Sequence, residues 1–309
     1  MVSEERAGLA KPPRHLIAAT DFSASSDEAV QRACLVARAS GARLTLAHVV
    51  PASLWEDMGT QFATLVGVEM PAPAAIRAQS LAQLERRAGE LSGRFGLACD
   101  ARVAEGRPAA ALAQVAADEK ADLLVVGAHG TGAMRAARDI LVGTTAQKLL
   151  RVAPCPVLVV KRAASAPYSR VLAPTDYSTP AHGAVRVAAA WFPTAQLHVA
   201  HAFELPYDGM LRYASIDRET IARQYARERE QLMRRLVAWA DASGVPPERR
   251  VLHVEHGYAP KRIEDWIDST GAGLLAIASH GKSELEAALL GSVTLHVVLS
   301  ASCDVLLLR

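Results

Sequence analysis

The chain has 309 residues, of which 50% are hydrophobic and only 5% aromatic, and its formal net charge is +2. This length fits two domains of ordinary size, with cores built mostly of Ala, Val and Leu. The balanced charge argues against a nucleic-acid or membrane-surface protein, and no apolar run approaches the ~18–20 residues of a membrane span. Four cysteines do not make a disulfide framework. No hydrophobic segment near the N-terminus resembles a signal peptide, so we expect reduced thiols and a cytoplasmic location.

The first half alternates short apolar runs with helical patterns, which predicts a parallel sheet covered by helices. The predicted strands are 15–20, 43–50, 98–104, 122–127 and 156–160, and the predicted helices are 28–39, 75–95, 109–117 and 144–151. Residues 51–74 contain three prolines and little periodicity, so we expect a long loop there.

The second half repeats this alternation. Its predicted strands are 171–175, 196–203, 250–255, 273–279 and 304–308, and its predicted helices are 181–190, 218–243, 261–269 and 292–300. Residues 161–169 have the composition of a linker. We therefore expect five strands and four helices in each half, joined by right-handed crossovers.

The two halves share landmarks that follow each other in the same order. The matching pairs are Asp21 and Asp176, His48 and His201, Gly106 and Gly257, Gly130 and Gly281, Gly143 and Gly291, and Cys155 and Cys303. Six landmarks in one order predict two copies of one domain, at residues 1–163 and 167–309.

Most of these landmarks lie where strands end, which is where an open α/β sheet binds its ligands. Glycine lets backbone N–H groups approach an anion closely, and the pairs Gly143-Thr144 and Gly291-Ser292 each open a predicted helix, whose N-terminus attracts phosphate. The alternative is that these residues are only turn and capping chemistry. Asp21 and Asp176 likewise have two interpretations, as acceptors for a ribose or adenine group or as loop-stabilising carboxylates.

Several kinds of chemistry have no motif in this chain. Neither glycine loop continues into the Lys-Ser/Thr of a Walker motif, and no HExxH, CxxC or Gly-x-Ser-x-Gly sequence occurs. Histidines 129 and 280 are interpreted as residues that orient their loops. A binding site without a nucleophile or a metal cluster favours a sensor or carrier over a fast enzyme.

The sequences APTDYS, ASHGKSELEAALLGSV and CPVLVVK resemble a tandem universal stress protein over nearly the whole chain. The resemblance implies an α/β fold of two tandem Rossmann-like domains, similar to adenine nucleotide alpha hydrolases, each with a five-stranded parallel sheet of order 3-2-1-4-5. It implies a pseudo-twofold relation between the domains, as an intramolecular pseudo-dimer, and leaves a homodimer open. Some members bind ATP through Gly-x2-Gly-x9-Gly-Ser/Thr, the strand-one Asp and a Val after the strand-two His, and others lack the pattern.

Each copy departs from this pattern once or twice. The second copy has the x9 spacing between Gly281 and Gly291, but Ala278 replaces its first glycine and Ala202 replaces the Val. The first copy keeps the glycines, but its spacer, residues 131–142, is three residues longer than nine. The resemblance implies the following candidate nucleotide-binding residues: Thr20, Asp21, Val49, Gly127, Gly130, Gly143, Thr144, Thr145, Thr175, Asp176, Ala202, Ala278, Gly281, Gly291, Ser292 and Val293.

Three functions follow as hypotheses. The first is a stress-response regulatory protein that binds ATP, with or without Mg²⁺, in one or both domains, acts on an unknown protein partner and hydrolyses ATP slowly at most. The second is a nucleotide-free interaction module that binds a protein or a small apolar ligand through its long loops. The third is an enzyme of adenylate chemistry, for which the sequence offers no catalytic set.

Overall fold

The computed structural model describes residues 11–51, 72–129, 142–205, 217–281 and 290–309. The chain divides into two compact units. One unit comprises Pro13–Pro167, and the other comprises Tyr168–Arg309 together with Lys11 and Pro12 of the described residues.

The first unit contains a parallel sheet of order β3-β2-β1-β4-β5. Its strands are β1 (His15–Ala19), β2 (Arg43–Val50), β3 (Cys99–Glu105), β4 (Leu123–Gly127) and β5 (Val157–Val160). In the register of the sheet, Leu16 of β1 faces Leu44 on one side and Leu123 on the other. These three leucines are fully buried, as expected for strands covered by helices on both faces.

In the described part of the first unit, four helices accompany the strands: α1 (Ala24–Ser40), α2 (Pro73–Phe95), α3 (Pro108–Asp118) and α4 (Thr144–Val152). Helix α1 begins four residues earlier than expected, because Ser23 is its N-cap and accepts the N–H of Ser26. Gly41 ends α1 as expected, with a φ of 69° in the left-handed region.

The second unit repeats this arrangement with the sheet order β8-β7-β6-β9-β10. Its strands are β6 (Arg170–Pro174), β7 (Gln196–Phe203), β8 (Arg250–His256), β9 (Leu274–Ala278) and β10 (Asp304–Leu308). Its helices are α5 (Thr179–Trp191), α6 (Arg218–Ala242), α7 (Ala259–Thr270) and α8 (Ser292–Ser300), and a short 3-10 helix, Pro247–Arg249, precedes β8.

The architecture expected from the sequence is confirmed in the described residues. Each unit has the strand order 3-2-1-4-5, and the bounds of β2, β7, β10 and α8 are the predicted ones. Most of the predicted loop 51–74 lies outside the described residues. Within those residues, none of the helices has the length and apolar character that crossing a bilayer would require.

Candidate functional site

In each unit, the order in which the chain adds strands to the sheet reverses beside the first strand. The chain runs outward from β1 to β2 and β3, then returns to the other side of β1 with β4, and β6 and β9 repeat this relation. Such a switch point leaves a crevice beyond the carboxyl ends of the two strands. We call the space beyond β1 and β4, at the start of α4, the first crevice, and that beyond β6 and β9, at the start of α8, the second crevice.

A tight loop after β1 borders the first crevice. The N–H of Phe22 donates to Thr20 Oγ1 at 3.0 Å, and the N–H of Ser23 donates to Asp21 Oδ1 at 3.1 Å. Phe22 adopts a left-handed φ of 62°, which is uncommon for an aromatic residue. Its ring lies 4.7 Å from the ring of His48, whose Nδ1 is 2.8 Å from Thr20 O.

The loop after β6 repeats this geometry in the second crevice. The N–H groups of Tyr177 and Ser178 donate to Thr175 Oγ1 and Asp176 Oδ1, both at 2.9 Å. Tyr177 has a φ of 64°, and its ring lies 4.3 Å from that of His201. One carboxylate oxygen of Asp21 and one of Asp176 therefore stabilise their own loops, in agreement with the interpretation of these residues as loop-stabilising carboxylates. The residues that follow the two histidines differ in exposure: Val49 is buried and Ala202 is half-buried.

Ser25 lies against the end of β4, although the sequence did not indicate this residue as part of the site. A Cβ added to Gly127 would lie 2.8 Å from both the backbone O and the Oγ of Ser25. The Ser25 hydroxyl also accepts the N–H of His129, at 3.4 Å. Glycine at position 127 is thus required by the close approach of α1, whether or not a ligand binds.

The alanine that replaces this glycine in the second copy fits its strand. Ala278 is the last residue of β9 and is buried. Among the described residues other than glycine, a positive φ occurs at Phe22, Lys120 and Tyr177, and Ala278 has none. The backbone there therefore accepts an alanine without strain.

Asp176 contacts the loop that follows β9. A Cβ on Gly281 would lie 2.4 Å from Asp176 Oδ2, so the carboxylate occupies the space beside the glycine. The structure thus brings together two predicted site residues from different strands of the second unit. The counterpart Gly130 lies outside the described residues.

Helices α4 and α8 begin at the two crevices. Their N-caps, Gly143 and Gly291, have φ/ψ of −62°/156° and −58°/149°. The N–H of Gly143 donates to Ala128 O at 2.6 Å and that of Gly291 to Ser279 O at 2.9 Å, which ties each helix start to the end of the neighbouring strand. Among the next residues, Thr144 and Ser292 are exposed, whereas Thr145 and Val293 are half-buried.

These two helix starts differ from the other helix starts in the described ranges. Helices α1, α5 and α6 have side-chain caps from Ser23, Ser178 and Asp217, and α2, α3 and α7 have proline in their first two positions. A glycine N-cap has no side chain to accept the first N–H groups of α4 and α8. Free N–H groups and the positive end of the helix dipole suit an anion.

The histidines after the fourth strands point inward. The Nε2 atoms of His129 and His280 are buried without a hydrogen-bond partner in the described structure, and His280 Nδ1 lies 2.8 Å from Ser279 Oγ. No group of three or more His, Cys, Asp or Glu side chains within the described residues could hold a metal ion.

Comparison with known proteins places this geometry in a family. The model of the universal stress protein family matches residues 13–161 and again 167–309. A universal stress protein of Mycolicibacterium smegmatis is 28% identical over 95% of this chain and 96% of its own length. One of Thermus aquaticus is 47% identical over 62 residues, which are 20% of this chain and 43% of that protein.

A solved structure shares the fold of the whole chain. The universal stress protein of Archaeoglobus fulgidus superposes with a TM-score of 0.66 at 16% identity, covering 96% of this chain and 98% of that one. Together with the two family matches, this likeness identifies the chain as a member of the universal stress protein family, with two copies of the family domain in tandem.

Proposed function

We propose that the protein binds ATP in its second crevice and serves as a stress-response regulatory protein rather than as a fast enzyme. The start of α8 carries this proposal. Its N-cap glycine leaves the first N–H groups without a side-chain acceptor, and the exposed hydroxyl of Ser292 stands beside them. A phosphate group would satisfy both the N–H groups and the helix dipole.

The surroundings of Gly291 support a ligand there. A Cβ on this glycine would make only ordinary contacts, at 3.6 Å to Ser279 O and 3.7 Å to Thr294 Oγ1, and its φ is negative. Neither the backbone conformation nor packing against the described residues therefore requires glycine at this position. Close approach of a ligand to the backbone gives a reason for it.

The second crevice has better support than the first. Its glycine spacing is the nine residues of the ATP-binding pattern, and Asp176 and Gly281 lie side by side. In the first crevice, Ser25 fills the space beside Gly127 and its hydroxyl accepts the N–H of His129. We therefore propose the second crevice as the principal site.

Capping variants test the proposal. Aspartate is a favoured N-cap residue, so Gly291→Asp should leave the free energy of unfolding unchanged or raise it by about 0.5 kcal/mol. The same carboxylate would occupy the N–H groups and repel phosphate, so the affinity for Mg-ATP should fall at least about tenfold. Calorimetric titration with Mg-ATP and urea unfolding of the full chain measure the two effects.

The matched control is Gly143→Asp, which makes the same change at the start of α4, where the N-cap backbone conformation is nearly the same. This variant should bind ATP as the wild type does. If it loses binding while Gly291→Asp keeps it, the nucleotide site belongs to the first crevice. Absence of nucleotide in the purified protein, together with no heat or thermal shift from millimolar Mg-ATP, would favour the nucleotide-free interaction module.

A further inference from the structure

The second unit contains an aromatic contact between its crevice loop and its longest helix. Tyr177, next to Asp176, lies against α6, where its hydroxyl donates to Leu232 O at 3.1 Å. The guanidinium carbon of Arg235 stands 4.2 Å from the centre of the Tyr177 ring, and the ring of Trp239 meets it edge-on at 6.1 Å. Positions 232, 235 and 239 lie on one face of a helix.

The tyrosine is held firmly on both sides. The ring of His201 covers it from the sheet at 4.3 Å, while Arg235 contributes a cation–π contact from the helix. Burial raises the pKa of Tyr177 to about 12 against the opposing effect of Arg235. The hydroxyl therefore stays protonated near neutral pH and remains a hydrogen-bond donor.

The first unit has the same loop without this connection. Phe22 occupies the corresponding position with nearly the same φ, 62° against 64°, and it stacks on His48 in the same way. A phenylalanine has no hydroxyl to reach a helix carbonyl. The nearest equivalent in that unit joins two helices instead, through Arg87 of α2 and Asp27 of α1 at 2.7 Å.

A continuous set of contacts thus runs from the crevice to the helix. The Asp176 carboxylate lies against Gly281, its other oxygen holds the N–H of Ser178, and the intervening Tyr177 is fixed to α6. A left-handed φ at a bulky residue costs free energy and persists only where neighbours enforce it. Because Phe22 keeps nearly the same φ without such contacts among the described residues, those of Tyr177 with α6 add stability to the loop and are not needed for its conformation.

We infer that Tyr177 is a positioning residue that couples the Asp176 loop to α6, so that occupancy of the second crevice and the conformation of α6 are linked. The link to occupancy rests on the proposed function. Thermodynamic coupling is reciprocal, so a change in α6 must alter the loop as much as a ligand at the loop alters α6. A protein that contacts α6 would then sense whether nucleotide is bound in the second crevice.

Hydrogen exchange of the ligand-free full chain tests the coupling without nucleotide. Arg235→Gln removes the cation–π contact, and it should speed exchange of the Tyr177 and Ser178 amides about fivefold. Tyr177→Phe, which copies the first unit, should speed exchange in residues 232–239 about fivefold through loss of the hydroxyl bond. The control is Arg234→Gln, whose exposed side chain pairs with Glu230 at 3.1 Å, and it should leave the loop amides unchanged.

A second arm with Mg-ATP tests the linkage. In the wild type, ATP should slow exchange at the start of α8, in the Asp176 loop and in residues 232–239. In Tyr177→Phe it should slow exchange in the first two places only. If ATP does not protect the start of α8 from exchange, the proposed function is wrong. The coupling between the loop and α6 is then tested by the ligand-free experiment alone. The coupling is overturned if Arg235→Gln disturbs α6 and not the loop, or if ATP protects the loop and never α6.

Discussion

At the scale of single residues, the glycines of one sequence motif are required for different physical reasons. Gly127 is required by the approach of Ser25, and Gly281 by the carboxylate of Asp176, whereas no residue in the described part of the chain crowds Gly291. The sequence pattern treats these positions as one motif. The structure separates the two that are packed against the protein from the one that leaves room for a ligand.

This difference predicts a larger loss of stability for one alanine variant of the second crevice than for another. Gly281→Ala would place a methyl group 2.4 Å from Asp176 Oδ2, so the carboxylate must move. We expect a loss of about 1–3 kcal/mol in the free energy of unfolding and weaker ATP binding. Urea unfolding and calorimetric titration measure both.

Gly291→Ala is the control for this substitution, because its methyl group meets no atom of the described residues closer than 3.6 Å. It should cost about 1 kcal/mol or less, the usual difference between glycine and alanine as N-cap. Equal destabilisation by the two variants would mean that Asp176 does not hold its place beside Gly281.

A stacked pair of histidines, of which His198 is buried and His253 half-buried, predicts a pH dependence in the second unit. His198 Nδ1 lies 3.0 Å from His253 Nε2, and their rings stack at 5.2 Å. Burial lowers the pKa of His198 to about 4, helped by His253 and by the nearby Arg170. Burial also lowers the pKa of His253, although Glu255 opposes the shift.

The unfolded chain therefore takes up these protons before the folded chain does. The stability contributed by the pair is complete above about pH 6.5 and declines as the pH falls towards 4. The variant His198→Thr, which copies Thr45 of the first unit, should flatten this dependence between pH 6.5 and 4.5. Tryptophan fluorescence during urea unfolding measures the free energy of unfolding at each pH, since Trp191, Trp239 and Trp266 all belong to the second unit. An unchanged slope would contradict the assignment.

At the scale of elements, periodicity and caps predicted nearly every helix and strand, because buried strands and amphipathic helices leave strong local patterns. The largest differences, of two to four residues, fall at helix starts, and the other bounds differ by one residue at most. Helix α5 was expected from residue 181, and it begins at Thr179 because Ser178 caps it, accepting the N–H of Ala181. Where several polar residues are adjacent in the sequence, the sequence does not show which of their side chains caps the helix by accepting one of its first N–H groups.

Arg249, which lies outside the crevices, connects two elements of the second unit. Arg249 is the last residue of the 3-10 helix, and its guanidinium donates to three carbonyl oxygens at and just beyond the end of α5. These are the oxygens of Ala189, Phe192 and Ala195, with the closest approach 3.0 Å to Phe192 O. A cation suits the negative end of a helix. Its removal leaves those carbonyl groups without a charged donor.

Arg249→Ala should lower the free energy of unfolding by about 2 kcal/mol, and Arg249→Lys should recover only part of this because lysine lacks the planar fork. The control is Arg223→Ala, whose exposed partner Glu219 is 3.9 Å away, with an expected cost of about 0.5 kcal/mol or less. Urea unfolding followed by tryptophan fluorescence decides between these values. A cost for Arg249→Ala no larger than that of the control would show that the carbonyl contacts contribute little.

At the scale of the whole molecule, two copies of one domain keep the same framework and differ at the site. The loop Thr-Asp-Phe/Tyr-Ser folds identically in both units, down to the left-handed aromatic residue. The sequence located the crevices because strand order fixes where strand ends meet. It could not show that Ser25 closes on Gly127, or that Tyr177 joins its loop to α6, because those contacts depend on side-chain packing between elements distant along the chain.

The central claim is that the uncapped start of α8 holds the phosphates of ATP, and a crystal structure of the full chain with Mg-ATP tests it most directly. We predict phosphate oxygens within hydrogen-bond distance of the backbone N–H groups of Ser292 and Val293, with the nucleotide beside the contact between Asp176 and Gly281. A second crevice that stays empty at saturating ATP, or a nucleotide bound elsewhere, would contradict the account.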